Sequence, residues 1–334
     1  MKKYQLVFII FLFLSSCSSF KKKSSSISLN ILPLEKIGKR FVFEKYKTAN
    51  EEFTYYYFPS KNKTDPIIIN VQGSGCDSIY SKDKKGNVFG GLHLNIAEVA
   101  EFKSAVLAVE KPYVETYQES ASPGDVNSCS NQFREKFNLS VWVKALATSL
   151  SEVIALQDLS PDRIIVFGHS EGASVAATLA ASLPQVSHVI YAAGGGGNPL
   201  YEAFLRRKKN AQGNLKTEDN DIKEAINDWK QMLRAPENTQ QLFWGHAAPY
   251  WLSRSKINSV EDLKMSLAKI YVVQGTNDLN VSIDASDLLV SELVIAGKDL
   301  EYKRIIGANH FFEINGEDRI TQVISESLNW ALKP

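Results

Sequence analysis

Short apolar runs recur along this chain with longer polar-and-apolar stretches between them. Ile67 to Val71, Ser104 to Glu110, Arg163 to Phe167, Val186 to Ala192, Lys269 to Gln274 and Leu300 to Ile306 have the length of strands. Most are apolar at successive positions, as expected of strands covered on both faces. Between them, Asn95 to Phe102 reads as a helix. Asn138 to Leu156 places Val141, Trp142, Ala145, Leu146, Ser149, Leu150, Val153 and Ile154 on one helical face. Ser160-Pro161-Asp162 breaks that helix before the next strand. Strand alternating with helix predicts an α/β domain with a mostly parallel central sheet. Phe41 to Tyr46 and Glu52 to Phe58 alternate in polarity and predict an antiparallel pair at its N-terminal edge.

The stretch from Gly194-Gly195-Gly196-Gly197 to about Lys256 interrupts the alternation. Its periodicity is helical: Ile222, Ala225, Ile226, Trp229, Met232 and Leu233 share a face, with Asp219 or Asn220 as the start and Pro236 as the stop. Phe204, Phe243, Trp244, Tyr250 and Trp251 add aromatic surface.

Candidate chemistry sits at the strand ends. Gly168-His169-Ser170-Glu171-Gly172 links the strand ending at Phe167 to a helix beginning Ala173-Ser174-Val175. Glycines on both sides allow a tight turn to approach its neighbours, and the turn lifts the serine hydroxyl above the sheet. A serine nucleophile needs a base, and the base an orienting acid. Of the five histidines, His169 lies within the turn and is expected to point away from the nucleophile. His188 opens a strand, His93 precedes a helix, and His246 lies in the aromatic insert. His310, in the loop Gly307-Ala308-Asn309-His310, is left as the base. The acid is Asp278, at the end of the strand 269–274, with Asp284 as its rival.

Ser170, Asp278 and His310, in that order and each just past a strand, resemble the α/β-hydrolase family over residues 40–334. The resemblance implies an α/β-hydrolase fold in which the insert at about 197–256 is a helical cap over the active site. It also implies an oxyanion hole made by the Glu171 N–H and an amide at Gly75 or Cys76, in the loop after the strand 67–71. Gln72-Gly73-Ser74-Gly75 stands where many lipases and esterases carry His-Gly-Gly-Gly.

The N-terminus begins Met1-Lys2-Lys3 and continues through an apolar run, Leu6 to Leu14, too short to span a bilayer. Leu14-Ser15-Ser16-Cys17 is similar to the lipobox of bacterial lipoproteins. That implies a signal peptide over 1–16, lipidation of Cys17 and a tether over 17–39, rich in serine and lysine at its start. Ser18 after the cysteine implies the outer membrane of an organism that has one. Cys76 and Cys129 are the remaining cysteines, and in an exported chain they are expected to form a disulfide.

The 334 residues carry 38 Lys and Arg against 37 Asp and Glu. No basic face or aromatic-basic alternation points to a nucleic-acid partner. No metal-ligand spacing is present, and no cofactor is implied. The expected partners are a small-molecule acyl substrate and, through the anchor, a membrane; oligomeric state is left open. The expected activity is cleavage of a carboxylic ester through a Ser-His-Asp triad, because the insert is aromatic and no charged specificity motif is visible. Aminoacyl or peptide cleavage is the enzymatic alternative, with the Glu171 carboxylate either meeting a substrate amine or only favouring the helix dipole. A lipid-anchored binding protein, or an envelope interaction protein, is the non-enzymatic one.

Overall fold

Nine strands form one sheet among the described residues of the computed structural model, which are 33–38, 40–50, 52–119 and 128–333. The segment read as a signal peptide, Cys17 and most of the segment read as a tether lie outside them. In chain order the strands are β1 (Glu35–Ile37), β2 (Phe43–Lys47), β3 (Thr54–Phe58), β4 (Ile67–Val71), β5 (Ala105–Val109), β6 (Ile164–His169), β7 (Val186–Ala192), β8 (Lys269–Gly275) and β9 (Leu300–Ile305). Their spatial order is β1-β2-β3-β5-β4-β6-β7-β8-β9. Pairing is antiparallel from β1 through β3 to β5 and parallel from β5 onward. Residues 35–37 pair with β2, so the sheet begins within the stretch read as tether.

The central strands are buried along their whole length because helices cover both faces. Ile67 and Ile69 of β4 face a core shared with α3 (Leu139–Leu156) and α4 (Glu171–Ser182). Ile68 faces the opposite core, with α1 (Leu92–Ala100) and α10 (Ile320–Ala331). Among the described residues, α3 is long and apolar enough to cross a membrane. Trp142, Leu146, Leu150 and Val153 commit its apolar face to the domain core.

The remaining helices are α2 (Asn131–Lys136), α5 (Pro199–Asn210), α6 (Leu215–Arg234), α7 (Ala248–Arg254), α8 (Ser259–Met265) and α9 (Ile283–Ile295). Strands β2 and β3 begin two residues later than the sequence reading, and two helices also differ in extent. Helix α1 occupies 92–100, and Glu101 and Phe102 adopt left-handed φ of 47° and 64°, which stops it. Helix α6 starts at Leu215, where the Asn214 side chain accepts the Thr217 N–H, about a turn before Asp219. Its first turns lie in solvent and carry no apolar periodicity to read.

Strand β4 has β5 on one side and β6 on the other, so the chain reverses its direction of travel across the sheet there. In open α/β sheets a crevice forms beyond the strand ends at such a switch point. The loops after β4 and β6 meet at this crevice.

Candidate active site

Ser170 is the junction between β6 and α4, at φ 57° and ψ −125°. This is a strained conformation for a residue with a Cβ. Its N–H is held by the Ala192 carbonyl at 2.8 Å. The flanking glycines are sterically required. A Cβ on Gly168 would lie 2.3 Å from the Gly172 oxygen, and one on Gly172 would lie 2.3 Å from the Val71 oxygen and 2.4 Å from that of Gln72. Glycine at 168 therefore lets the elbow close on itself, and glycine at 172 lets it pack against the end of β4.

His310 and Asp278 converge on this serine from the loops after β9 and β8. The Ser170 Oγ is 2.9 Å from His310 Nε2, and His310 Nδ1 is 2.7 Å from Asp278 Oδ2. Asp278 is 1% exposed. Its Oδ2 also accepts from Gln274 Nε2 at 2.9 Å, and its Oδ1 accepts the Asn280 and Val281 N–H groups at 2.8 and 2.9 Å. Burial opposes its charge, but the hydrogen bond and charge of His310, with those two amides, outweigh burial and hold its pKa below the usual value. Asp284, the rival acid, is exposed in the first turn of α9, where its partner is Ser282. A serine able to give its proton to an oriented imidazole is the arrangement nucleophilic acyl transfer needs.

No family model and no curated protein matches the chain. Solved structures do. A Mycobacterium tuberculosis puromycin-hydrolyzing peptidase superposes with a TM-score of 0.56 at 13% identity, over 86% of this chain and 38% of that one. For the acylaminoacyl peptidase of Pyrococcus horikoshii the values are 0.59 and 12%, over 90% and 42%. Est1E from Butyrivibrio proteoclasticus gives 0.52 and 14%, over 86% of this chain and 99% of Est1E. The chain has the α/β-hydrolase fold. It spans about two fifths of the length of the two peptidases and nearly all of Est1E.

In this α/β-hydrolase fold the crevice at the switch point is a cleft of about 690 Å³ that reaches Ser170 and His310. Its walls combine the loop after β4 with the insert, which forms α5, α6, a short hairpin (Leu242–Phe243 with His246–Ala247) and α7. Trp244, His246, Tyr250 and Trp251 line the cleft and pack together, His246 stacked on Tyr250 at 3.7 Å between centroids and Trp251 edge-on to Trp244 and Tyr250. Of the residues read as oxyanion donors, Glu171 lies on the cleft wall. Gly75 and Cys76 do not line it, whereas Gly73 and Ser74 do, and a Cβ on Gly73 would sit 3.4 Å from the Ser170 Cβ. Cys76 is fully buried and joined to Cys129 by a disulfide with a Cα–Cα distance of 5.7 Å.

The cleft is more charged than the sequence suggested. Glu171, Glu202, Arg206 and Arg254 all line it. The Glu171 side chain turns toward the insert, where Oε2 accepts from the Tyr250 hydroxyl and Oε1 is buried without a partner. Burial raises the Glu171 pKa, while the charges of Lys111 and Arg254 pull it back. Arg254 donates to Ser174 Oγ at 3.0 Å and lies 4.0 Å from Glu202.

Two further residues brace the loops around the site, and His169, expected to point away from the nucleophile, is one of them. His169 turns under the base loop, where its Nε2–H donates to the His310 carbonyl at 2.9 Å. Burial, then the neighbouring His310 charge, lower its pKa to about 4, so it is neutral at pH 7. Lys111, just past the end of β5, is 1% exposed and bonds the loop after β4.

Proposed function

We propose that this protein is a serine hydrolase that cleaves a carboxylic ester, or a related acyl bond, through a covalent acyl-enzyme on Ser170. The observation that carries the reading is the hydrogen-bonded series Ser170 Oγ, His310 Nε2, His310 Nδ1 and Asp278 Oδ2. His310 Nε2 takes the hydroxyl proton as Oγ attacks the substrate carbonyl carbon. The tetrahedral intermediate collapses, the C–O bond to the leaving group breaks, and His310 returns the proton to that group. Water, losing a proton to His310, then attacks the acyl carbon; the acyl bond to Ser170 Oγ breaks, His310 returns the proton to Oγ, and the acid product leaves. Asp278 keeps the proton on Nδ1, which leaves Nε2 as the base.

The Glu171 N–H is one oxyanion donor. It opens α4, where the first N–H groups have no intrahelical acceptor and the helix dipole favours negative charge. The Ser74 N–H is the second, since Gly73 and Ser74 border the cleft at Ser170. The scheme needs no cofactor.

Hydrolysis of an aminoacyl or peptide bond is the second reading. The buried, unpartnered Oε1 of Glu171 favours it, being an acceptor for a substrate amine beside the nucleophile. A panel separates the two: p-nitrophenyl esters of two to twelve carbons on the order of a homologous series, and aminoacyl p-nitroanilides with free or acetylated amines. The ester reading expects kcat/KM on at least one ester to exceed every anilide by about a hundredfold or more. Turnover of free-amine anilides matching the esters, and lost on acetylation, would replace it with the aminoacyl reading.

We further propose that the enzyme acts at the cell envelope, anchored through lipid on Cys17, because Leu14-Ser15-Ser16-Cys17 follows the apolar run directly. Metabolic labelling with radioactive palmitate should mark the wild type and not Cys17→Ser; equal labelling of both would rule the anchor out.

A further inference from the structure

We propose that Lys111 is a positioning residue for the oxyanion hole, fixing and polarising the loop after β4 from behind. The inference rests on the hydrolase reading above. Lys111 follows β5, the neighbour of β4 in the sheet, so its side chain reaches the loop that leaves β4. Its Nζ donates to the Gly73 carbonyl at 2.5 Å and to the Gly75 carbonyl at 2.6 Å. The ammonium also lies 4.9 Å from the centre of the Trp142 ring, and the residue is 1% exposed.

A buried ammonium is costly unless its donors are satisfied. Here two of them go to backbone carbonyls of one loop, so the charge is tied to that loop's shape. Burial lowers the pKa of Lys111 to about 8, opposed by the negative charges of Glu171 on α4, Asp77 in the loop and Glu110 at the strand end. His246 of the insert's hairpin also feels its charge. The lysine is therefore largely charged at neutral pH.

The consequence follows from peptide geometry. The described residues contain no cis peptide bond, and in a trans peptide the C=O and N–H point in opposite directions. The Gly73 carbonyl belongs to the same peptide as the Ser74 N–H, and the Gly75 carbonyl to the same peptide as the Cys76 N–H. With both carbonyls held by Lys111, both N–H groups are directed away from the lysine. A donor on the carbonyl oxygen strengthens the N–H at the other end of that peptide, because hydrogen bonds in series polarise one another. A developing oxyanion gains from a fixed, polarised donor more than a ground-state carbonyl does. Loss of the ammonium should thus appear in kcat and leave KM nearly unchanged.

The test uses the full chain in non-ionic detergent, with p-nitrophenyl acetate as substrate and a fluorophosphonate to count reactive serines, so that kcat is expressed per active site. Lys111→Met should lower kcat per site by about tenfold to a hundredfold with KM within about threefold of wild type, and Lys111→Arg should recover most of the loss. If Lys111→Met does not fold, Lys111→Gln, which keeps a donor and loses the charge, takes its place. A kcat per site within about twofold of wild type would overturn the proposal and leave the hydrolase reading standing. So would a rise in KM alone, or a Lys111→Arg enzyme as slow as Lys111→Met. A wild type that neither reacts with the probe nor turns over ester would remove the hydrolase reading, and this inference with it.

Discussion

His169 Nε2 donates its hydrogen to the backbone carbonyl of His310 at 2.9 Å, so the residue before the proposed nucleophile supports the loop that carries the proposed base. The two imidazoles lie 5.0 Å apart, and Phe311 and Phe312 pack around His169. His169→Phe keeps an aromatic ring and removes the donor, leaving the His310 carbonyl without it. Stability should fall by about 1–3 kcal/mol, the cost of orphaning a buried acceptor. Misalignment of the base should lower kcat by about tenfold with little change in KM. Urea unfolding and steady-state kinetics on one preparation test both; an unchanged kcat would mean the loop holds His310 without this bond.

Ser170 carries backbone strain that its side chain makes worse. At φ 57° and ψ −125° a Cβ is unfavourable, and glycine accepts the conformation at little cost. Ser170→Ala and Ser170→Gly both lack the hydroxyl and differ only in that Cβ. Ser170→Gly should be the more stable by about 1 kcal/mol, although glycine ordinarily costs chain entropy on folding. Thermal or urea unfolding of the pair decides it. If the alanine variant is the more stable, the turn is not strained in solution.

His93 makes the stability acid-sensitive in a way one substitution isolates. It is buried on α1 with edge-on contacts to Phe43 and Tyr80, and its Nε2 has no partner. Burial lowers its pKa to about 3 from 6.5. Between those values the unfolded chain holds a proton that the folded chain refuses. Stability from this group is therefore complete above pH 6.5 and declines as pH falls toward 3. At about pH 5.5, one unit below the unfolded value, the loss is about 1.4 kcal/mol. The stability of His93→Phe relative to wild type should rise by about that amount between about pH 7.5 and 5.5, whatever packing difference the two show at neutral pH. A difference independent of pH would mean His93 can take a proton in the folded state.

How much could be read beforehand depended on whether a residue's role is local. The elbow was legible because Gly168 and Gly172 answer a steric demand two residues either side of Ser170. Asp278 and His310 were legible because the fold delivers strand ends to one edge, so position after a strand stands in for proximity. The charged cleft was not, because Glu202, Arg206 and Arg254 reach it from helices of the insert whose docking the sequence does not encode locally. No local pattern marks Lys111; its burial is created by Trp142 and the loop after β4, 31 and 36–38 residues away in sequence. The start of α6 was missed for the opposite reason, since solvent-exposed helical turns leave no apolar pattern.

The central claim is that His310 activates Ser170 as a nucleophile, and reaction with a fluorophosphonate tests it most directly. Wild type, Ser170→Ala and His310→Ala, each shown to be folded, are treated with the probe in detergent, and the labelled peptide is identified by mass spectrometry. Labelling of wild type at Ser170, absent from Ser170→Ala and reduced by about a hundredfold or more in His310→Ala, is the expected result. A folded wild type that stays unlabelled, or labelling that persists at another residue in Ser170→Ala, would contradict it.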